Sequence, residues 1–308
     1  MIAYNLSIDF ELGWGDLARL THDDVFYRRV VAGLSQTERV IDILNQSAIP
    51  STWGVVGGCC SHSLAELRDI APQAYDAVAT PLETLSRYRS SYSDVLFCRD
   101  VVRAIARSSL IELASHGFLH LTPSGLSPAI LQADVAASAR VLRQVSGKSI
   151  ESFIPPQNYH WPDEAFAGSG IRYVRHTPSV FGYPYSDARK PAKFARLWND
   201  FIHPVEYHNS RGESARLLFL RIDRGELLWN AQLALIRRLL TSASGSLYCY
   251  SHLHNLDTPL ALRRFAQLCD VVGAARDRGR LEFCGFFRDL GTAGAVQPAV
   301  RELSDTES

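Results

Sequence analysis

Several things are scarce in this 308-residue sequence, and each absence removes a class of protein. Net charge is missing: 32 Lys and Arg balance 32 Asp and Glu, which leaves no electrostatic footprint for nucleic acid or an anionic membrane. No apolar run reaches bilayer-spanning length, and the first residues, "IAYNLSIDF", lack the basic and long apolar regions of a signal peptide. The expectation is a cytoplasmic protein without membrane insertion. None of the six cysteines forms a CxxC pair, and most sit in apolar runs such as "LYCYSH" and "LEFCGF". They read as buried free thiols, not as a disulfide framework or a cysteine zinc site. No linker rich in Pro, Gly or Ser divides the chain, so one large domain is expected.

What is present is a core-forming composition, 46% hydrophobic and 21% charged. Short apolar runs alternate with amphipathic stretches from end to end, the βαβ pattern of an α/β fold. Strands are expected at 3–10, 50–56, 110–116, 151–156, 171–175, 217–222, 246–252 and 281–286. Residues 29–46 carry apolar positions at helical spacing, and a second helix is bracketed by Ser127 as N-cap, Pro128 at its first position and Gly147 as its stop. In a third, Leu262, Phe265, Leu268, Cys269 and Val272 form the inward stripe.

Chemically capable residues gather just after the expected strands: Asp9 and Glu11, then His116 and His120, Gln157 and Asn158, Arg175, and His252 with His254. In a parallel barrel all strand ends of one polarity share one mouth, so segments far apart in sequence converge there. Alternation along "SIDFELGWG" puts Asp9 and Glu11 on the same side, where a cation would relieve their repulsion. A turn cap and a surface ion pair would account for the same two residues. In "SHGFLH", imidazoles four apart lie on one face of a helical turn and can share a metal, with Glu11 or Asp9 as a third ligand. In "SHLHNLD", either histidine could protonate a leaving group, or the two could anchor the loop. Trp14, Trp53, Tyr159 and Trp161 fall beside the same strand ends and suit either sugar stacking or core packing. The cations of "DARKPAKFAR" (187–196) read as a solvated surface or, more sharply, as a nucleotide or pyrophosphate handle.

In order along the chain, these blocks resemble the polysaccharide deacetylase superfamily, the nodulation-type chitooligosaccharide deacetylases. "SIDFE" resembles the first-strand motif, which implies Asp9 as catalytic base and Glu11 as metal ligand. "SHGFLH" matches the motif that supplies two metal histidines. "FIPPQNYHW" corresponds to the third motif, with Ile154 where the family carries arginine, and "SLYCYSHLHNL" to the last, which implies His252 as general acid and His254 as the runner-up. "RLWNDFIHPV" offers Asp200 as the aspartate that tunes that histidine.

Together these readings predict an α/β, single-domain distorted (β/α) barrel over residues 1–290, with about seven parallel strands and the active site at their C-terminal ends, followed by a polar tail at 291–308. One divalent metal ion, zinc as the first choice, is expected on Glu11, His116 and His120, with catalysis by Asp9, His252, His254 and Asp200. Substrate contacts are expected from Trp14, Trp53, Gln157, Asn158, Tyr159 and Arg175. The expected reaction is removal of an acetyl or formyl group from a small-molecule amino sugar carried on a nucleotide or lipid. A cyclic amide or imide hydrolase, and a catalytically idle sugar-binding module, are the alternatives.

Overall fold

The computed structural model describes residues 1–175, 179–180, 183–184, 205–208, 214–242, 245–284 and 300–302. Its frame is one sheet. We label the strands β1 (Ile2–Phe10), β2 (Ser51–Val55), β3 (Ile111–Ser115), β4 (Ser152–Phe153), β5 (Tyr173–Arg175), β6 (Val205–His208), β7 (Ser214–Phe219), β8 (Gly245–His252), β9 (Leu281–Phe283) and β10 (Val300–Glu302). Their order is β10-β5-β4-β3-β2-β1-β8-β7-β6, with β9 on the lower half of β1. The seven strands from β5 to β7 run parallel, as expected, while the two outermost, β6 and β10, are antiparallel.

All nine residues of β1 are buried, because a parallel strand is covered on both faces. Tyr4, Leu6, Ile8 and Phe10 face the main core, whereas Ala3 belongs to an inner cluster with Ala114, Ile154, Tyr248 and Tyr250. That inner cluster joins β1, β3 and β8 to Ile154 just past β4, so the sheet curls into a distorted, open barrel. On the inner side β1 becomes polar toward its C-terminal end, through Asn5 and Ser7 to Asp9. Register then fixes neighbours: Asp9 lies opposite His252 on one side and Gly54 on the other.

The helices are α1 (Asp24–Ser35), α2 (Thr37–Gln46), α3 (Pro128–Ser146), α4 (Glu226–Ser242) and α5 (Pro259–Asp277), with shorter helices over 64–107 between β2 and β3. The apolar run at 29–46 is two helices, not one. Asp23 caps α1, its side chain accepting from the Phe26 N–H, and the chain breaks at Gln36, whose N–H turns back to the Gly33 carbonyl. The start and stop of α3 are as read: the Ser127 hydroxyl accepts from the Ile130 N–H, Pro128 follows, and Gly147 takes the left-handed conformation at φ +68°. The strand expected at 151–156 shrinks to two residues because Pro155 and Pro156 have no N–H for a ladder. That expected at 217–222 begins three residues earlier, at Ser214. All six cysteines are free and buried, and no helix among the described residues is long and apolar enough to cross a membrane.

Candidate active site

Glu11 leaves the end of β1 and opens a tight turn in which the Trp14 N–H returns to the Glu11 carbonyl at 2.8 Å. Gly15 lies directly on the Glu11 carboxylate, where even a β-carbon would collide. The two histidines of "SHGFLH" do not sit on a helical turn, as their spacing suggests. Residues 116–120 form an irregular loop after β3, bent by Gly117 at φ +75° and by His120 at φ +55°, a conformation a β-carbon disfavours. Hydrogen bonds hold it from two sides. The Gly117 and Phe118 carbonyls accept from the N–H groups of Gly57 and Gly58, and the N–H groups of Phe118 and Leu119 donate to the buried Asp134 carboxylate at 2.9 and 2.8 Å.

This loop aims both imidazoles at Glu11. Its Oε2 lies 3.0 Å from His120 Nε2 and 3.5 Å from His116 Nε2, with the rings 4.9 Å apart at 64°. His116 Nδ1 is 2.7 Å from the Ile154 carbonyl, which can only accept, so Nδ1 carries the proton and Nε2 presents its lone pair. Both Nε2 atoms are buried without a hydrogen-bond partner, an arrangement that a shared ligand would relieve. One carboxylate oxygen and two imidazole nitrogens suit a divalent cation such as zinc and leave a coordination position open. Protonation agrees. Burial pushes the Glu11 carboxyl up, but His252, His116 and His120 outweigh it and hold the group well below its usual range. Burial lowers His120 despite Glu11 beside it. Carboxylate and neutral imidazole are the forms that bind metal.

Asp9 faces His252 across the strand pair, and the residue that engages it is Arg175. Expected to touch substrate, Arg175 is instead 2% exposed, and its two Nη atoms lie 3.2 and 3.3 Å from the two Asp9 carboxylate oxygens. It also donates to Asn158 Oδ1 and lies over the Tyr250 ring. Against the upward push of burial, Arg175, then His116 and His252, keep the Asp9 carboxyl below its usual value. Ile154, at the position of the family's arginine, is wholly buried, so a guanidinium reaches the site from the next strand along.

The tryptophans expected to stack on sugar present no face: Trp14 and Trp53 are 2% and 0% exposed, and Trp161 is buried as well. Their indole N–H groups are turned inward where a partner is found, Trp14 to the Leu96 carbonyl and Trp53 to the Ser51 hydroxyl. Asn158 is buried against Arg175, Gln157 is exposed and Tyr159 half-buried. Asp200 and the cationic stretch 187–196 lie outside the described residues.

His252 Nε2 is 3.6 Å from Glu11 Oε1, on the opposite side of the carboxylate from the metal-facing pair. Its ring stacks on that of His254, 5.1 Å away and 15° from parallel. Glu11, His252 and His254 also come close enough to be weighed as a second metal set. Ring geometry argues against it, because an ion on the lone-pair axis of one stacked imidazole lies out of the plane of the other. Burial and His252 push His254 down to about 3, so it stays neutral.

Asp134 escaped the sequence reading. Its only signal is an acidic residue on the inward stripe of α3 between Leu131 and Val135, a place where a carboxylate survives only by finding hydrogen bonds.

The model of the polysaccharide deacetylase family matches residues 15–166, and this stretch is a domain of the polysaccharide deacetylase superfamily. Among solved structures, that of Puue allantoinase shares 14% identity at a TM-score of 0.53, covering 92% of this chain and 87% of the other. One described as "probable Polysaccharide deacetylase from Pseudomonas aeruginosa PAO1" shares 13% at a TM-score of 0.53 over the same shares. At that identity they support the fold. No curated protein matches the sequence.

Proposed function

We propose that this protein is a metal-dependent amide hydrolase that removes an acetyl or formyl group from the nitrogen of an amino sugar. The observation that carries the reading is the meeting, at one barrel mouth, of three convergent metal donors with a carboxylate and an imidazole paired across adjacent strands. A divalent cation, zinc first, held by Glu11, His116 and His120 would supply Lewis acidity toward the acyl carbonyl and make a water more acidic.

The chain's own residues do the rest. Asp9, kept ionised by Arg175, takes a proton from the attacking water. For the oxyanion a backbone donor is needed near residues 156–158. Pro156 has none, and the N–H groups of Asn158 and Tyr159 bond inside the turn to the carbonyls of Pro155 and Pro156. Gln157, at φ +54°, is the donor left to serve. His252, one-quarter exposed and beside Glu11, gives its proton to the departing amine. One water is consumed, and a carboxylate and a free amine result.

A sugar carried on a nucleotide or lipid is the favoured substrate, on the strength of the cationic run 187–196. The test is mass spectrometry of the zinc-loaded protein with N-acetyl and N-formyl amino sugars, free and nucleotide-linked. Loss of the acyl mass that stops with a chelator is expected. Opening of hydantoins or allantoin without any sugar deacylation would instead select a cyclic-amide hydrolase, and sugar binding without bound metal or turnover would select an idle module.

A further inference from the structure

The assigned acid has an unusual setting. No described residue hydrogen-bonds to either ring nitrogen of His252; its Nε2 lies 3.6 Å from Glu11 Oε1. Its ring is held through its faces and edges instead. His254 stacks on it at 5.1 Å and 15°, the edge of Phe219 meets it at 5.2 Å and 73°, and Tyr250 stands at 6.4 Å and 72°.

His254 is in turn fixed by one face of α1. Phe26 meets its ring edge-on at 5.4 Å. Arg29, three residues on, donates to the His254 carbonyl and to Asn255 Oδ1 while anchored to Asp257 and Asp223 at 2.8 and 2.9 Å. Gly33, one turn further, lets the helix lie on the loop so closely that a β-carbon there would come within 2.8 Å of the His254 Cα and the Leu253 carbonyl. Positions 26, 29 and 33 share a helix face, and all three grip the same few residues.

We propose that His254 is a positioning residue for His252, acting through ring stacking, and that α1 exists in part to hold it there. The logic is chemical. An imidazole that must carry a proton to a leaving group keeps a nitrogen free for that proton, and contact through the ring face fixes its plane without occupying either nitrogen. His254 contributes its flat face and not its nitrogens.

This inference rests on the reading of His252 as the acid, and its test separates the two. His254→Phe keeps a flat ring without nitrogens; His254→Leu keeps apolar bulk without a ring face. NMR of the His252 side chain is recorded for both in the zinc-loaded protein, beside kcat and KM on an N-acyl amino sugar and the zinc content. The expected result is one His252 ring conformation in the wild type and the Phe variant, with several in the Leu variant. The Leu variant should lose about fivefold to tenfold in kcat, with KM and one zinc per chain unchanged, and the Phe variant should recover most of that loss. His254→Met, which likewise keeps apolar bulk without a ring face, serves the same comparison if the Leu variant does not fold. A single ring conformation and full turnover in the Leu variant, or equal damage in the Phe and Leu variants, would overturn the proposal. A wild type that deacylates no amino sugar would overturn the functional reading, while the ring conformations would still decide the stacking.

Discussion

Two histidine pairs meet at this barrel mouth, and chain geometry alone gives them opposite uses. His116 and His120 are separated by a loop with two residues at positive φ, which swings the rings to 64° and brings both Nε2 atoms onto one carboxylate oxygen. His252 ends β8 and His254 lies in the short helical turn Leu253–Asn255 that follows, with the two rings 15° from parallel. Convergent lone pairs chelate; parallel rings support. The comparison breaks most sharply on metal content. His116→Ala or His120→Ala should weaken zinc binding beyond the roughly 10- to 100-fold typical of outer-shell changes and abolish turnover, whereas His254→Ala should retain one zinc per chain. Elemental analysis after dialysis measures this, and equal zinc loss from both pairs would show that the stacked pair ligates too.

Within the second pair, His252→Gln separates acid from ligand. Loss of general-acid catalysis should lower kcat by roughly 10²- to 10⁴-fold with zinc retained. The deficit should shrink for a substrate whose leaving group needs no proton, such as an aryl ester compared with an alkyl amide. An undiminished deficit on both would mean that His252 does something other than donate a proton.

Much of this was legible in the sequence. Periodicity located eight of the ten strands described in the sheet, the caps of α3 were spelled out by Ser127, Pro128 and Gly147, and order along a parallel sheet was enough to gather Asp9, Glu11, His116, His120 and His252 at one mouth. What failed has a common cause. Residue spacing reports faces of regular elements, so it gave the histidines a helical turn where a glycine and a left-handed His120 make a loop. It likewise ran α1 into α2 across Gln36. Spacing is also blind to satisfaction: an aromatic beside a strand end looks like a binding face, yet Trp14 and Trp53 are packed away. Arg175 looks available although Asp9, four strands along the sheet, has claimed both its Nη atoms.

Asp134 lets the first pair be perturbed without touching a ligand. Buried, it is pushed up to about 7 although the Phe118 and Leu119 N–H groups pull it down. Because the folded value exceeds the unfolded one, the folded state keeps a proton that the unfolded state has released. Its contribution to stability is therefore full below about pH 4 and is lost as pH rises toward about 7. Asp134→Asn should remove that slope from denaturant midpoints of metal-free protein. It should also weaken zinc by about 10-fold or more, since an amide can accept one of the two loop N–H groups and turns its own N–H toward the other. A slope that survives the substitution would place its origin elsewhere.

Gly33 offers the matching perturbation of the second pair, and the smallest. A β-carbon there, 2.8 Å from the His254 Cα and the Leu253 carbonyl, meets backbone on a strand-end loop, not the yielding tip of a side chain. Either α1 tilts away or the loop carrying the stacked rings moves. Overpacking of this kind costs about 1–3 kcal/mol, partly offset by the better helix propensity of alanine. Gly33→Ala should thus lower stability modestly and kcat with it, while zinc affinity, set across the mouth by Glu11, His116 and His120, stays at the wild-type value. Asp134→Asn should show the reverse priority, with zinc lost before the chemistry that depends on His252. If instead the two variants damage metal binding and turnover in the same proportion, the two pairs act as one rigid unit, and the division between chelating and supporting histidines is wrong.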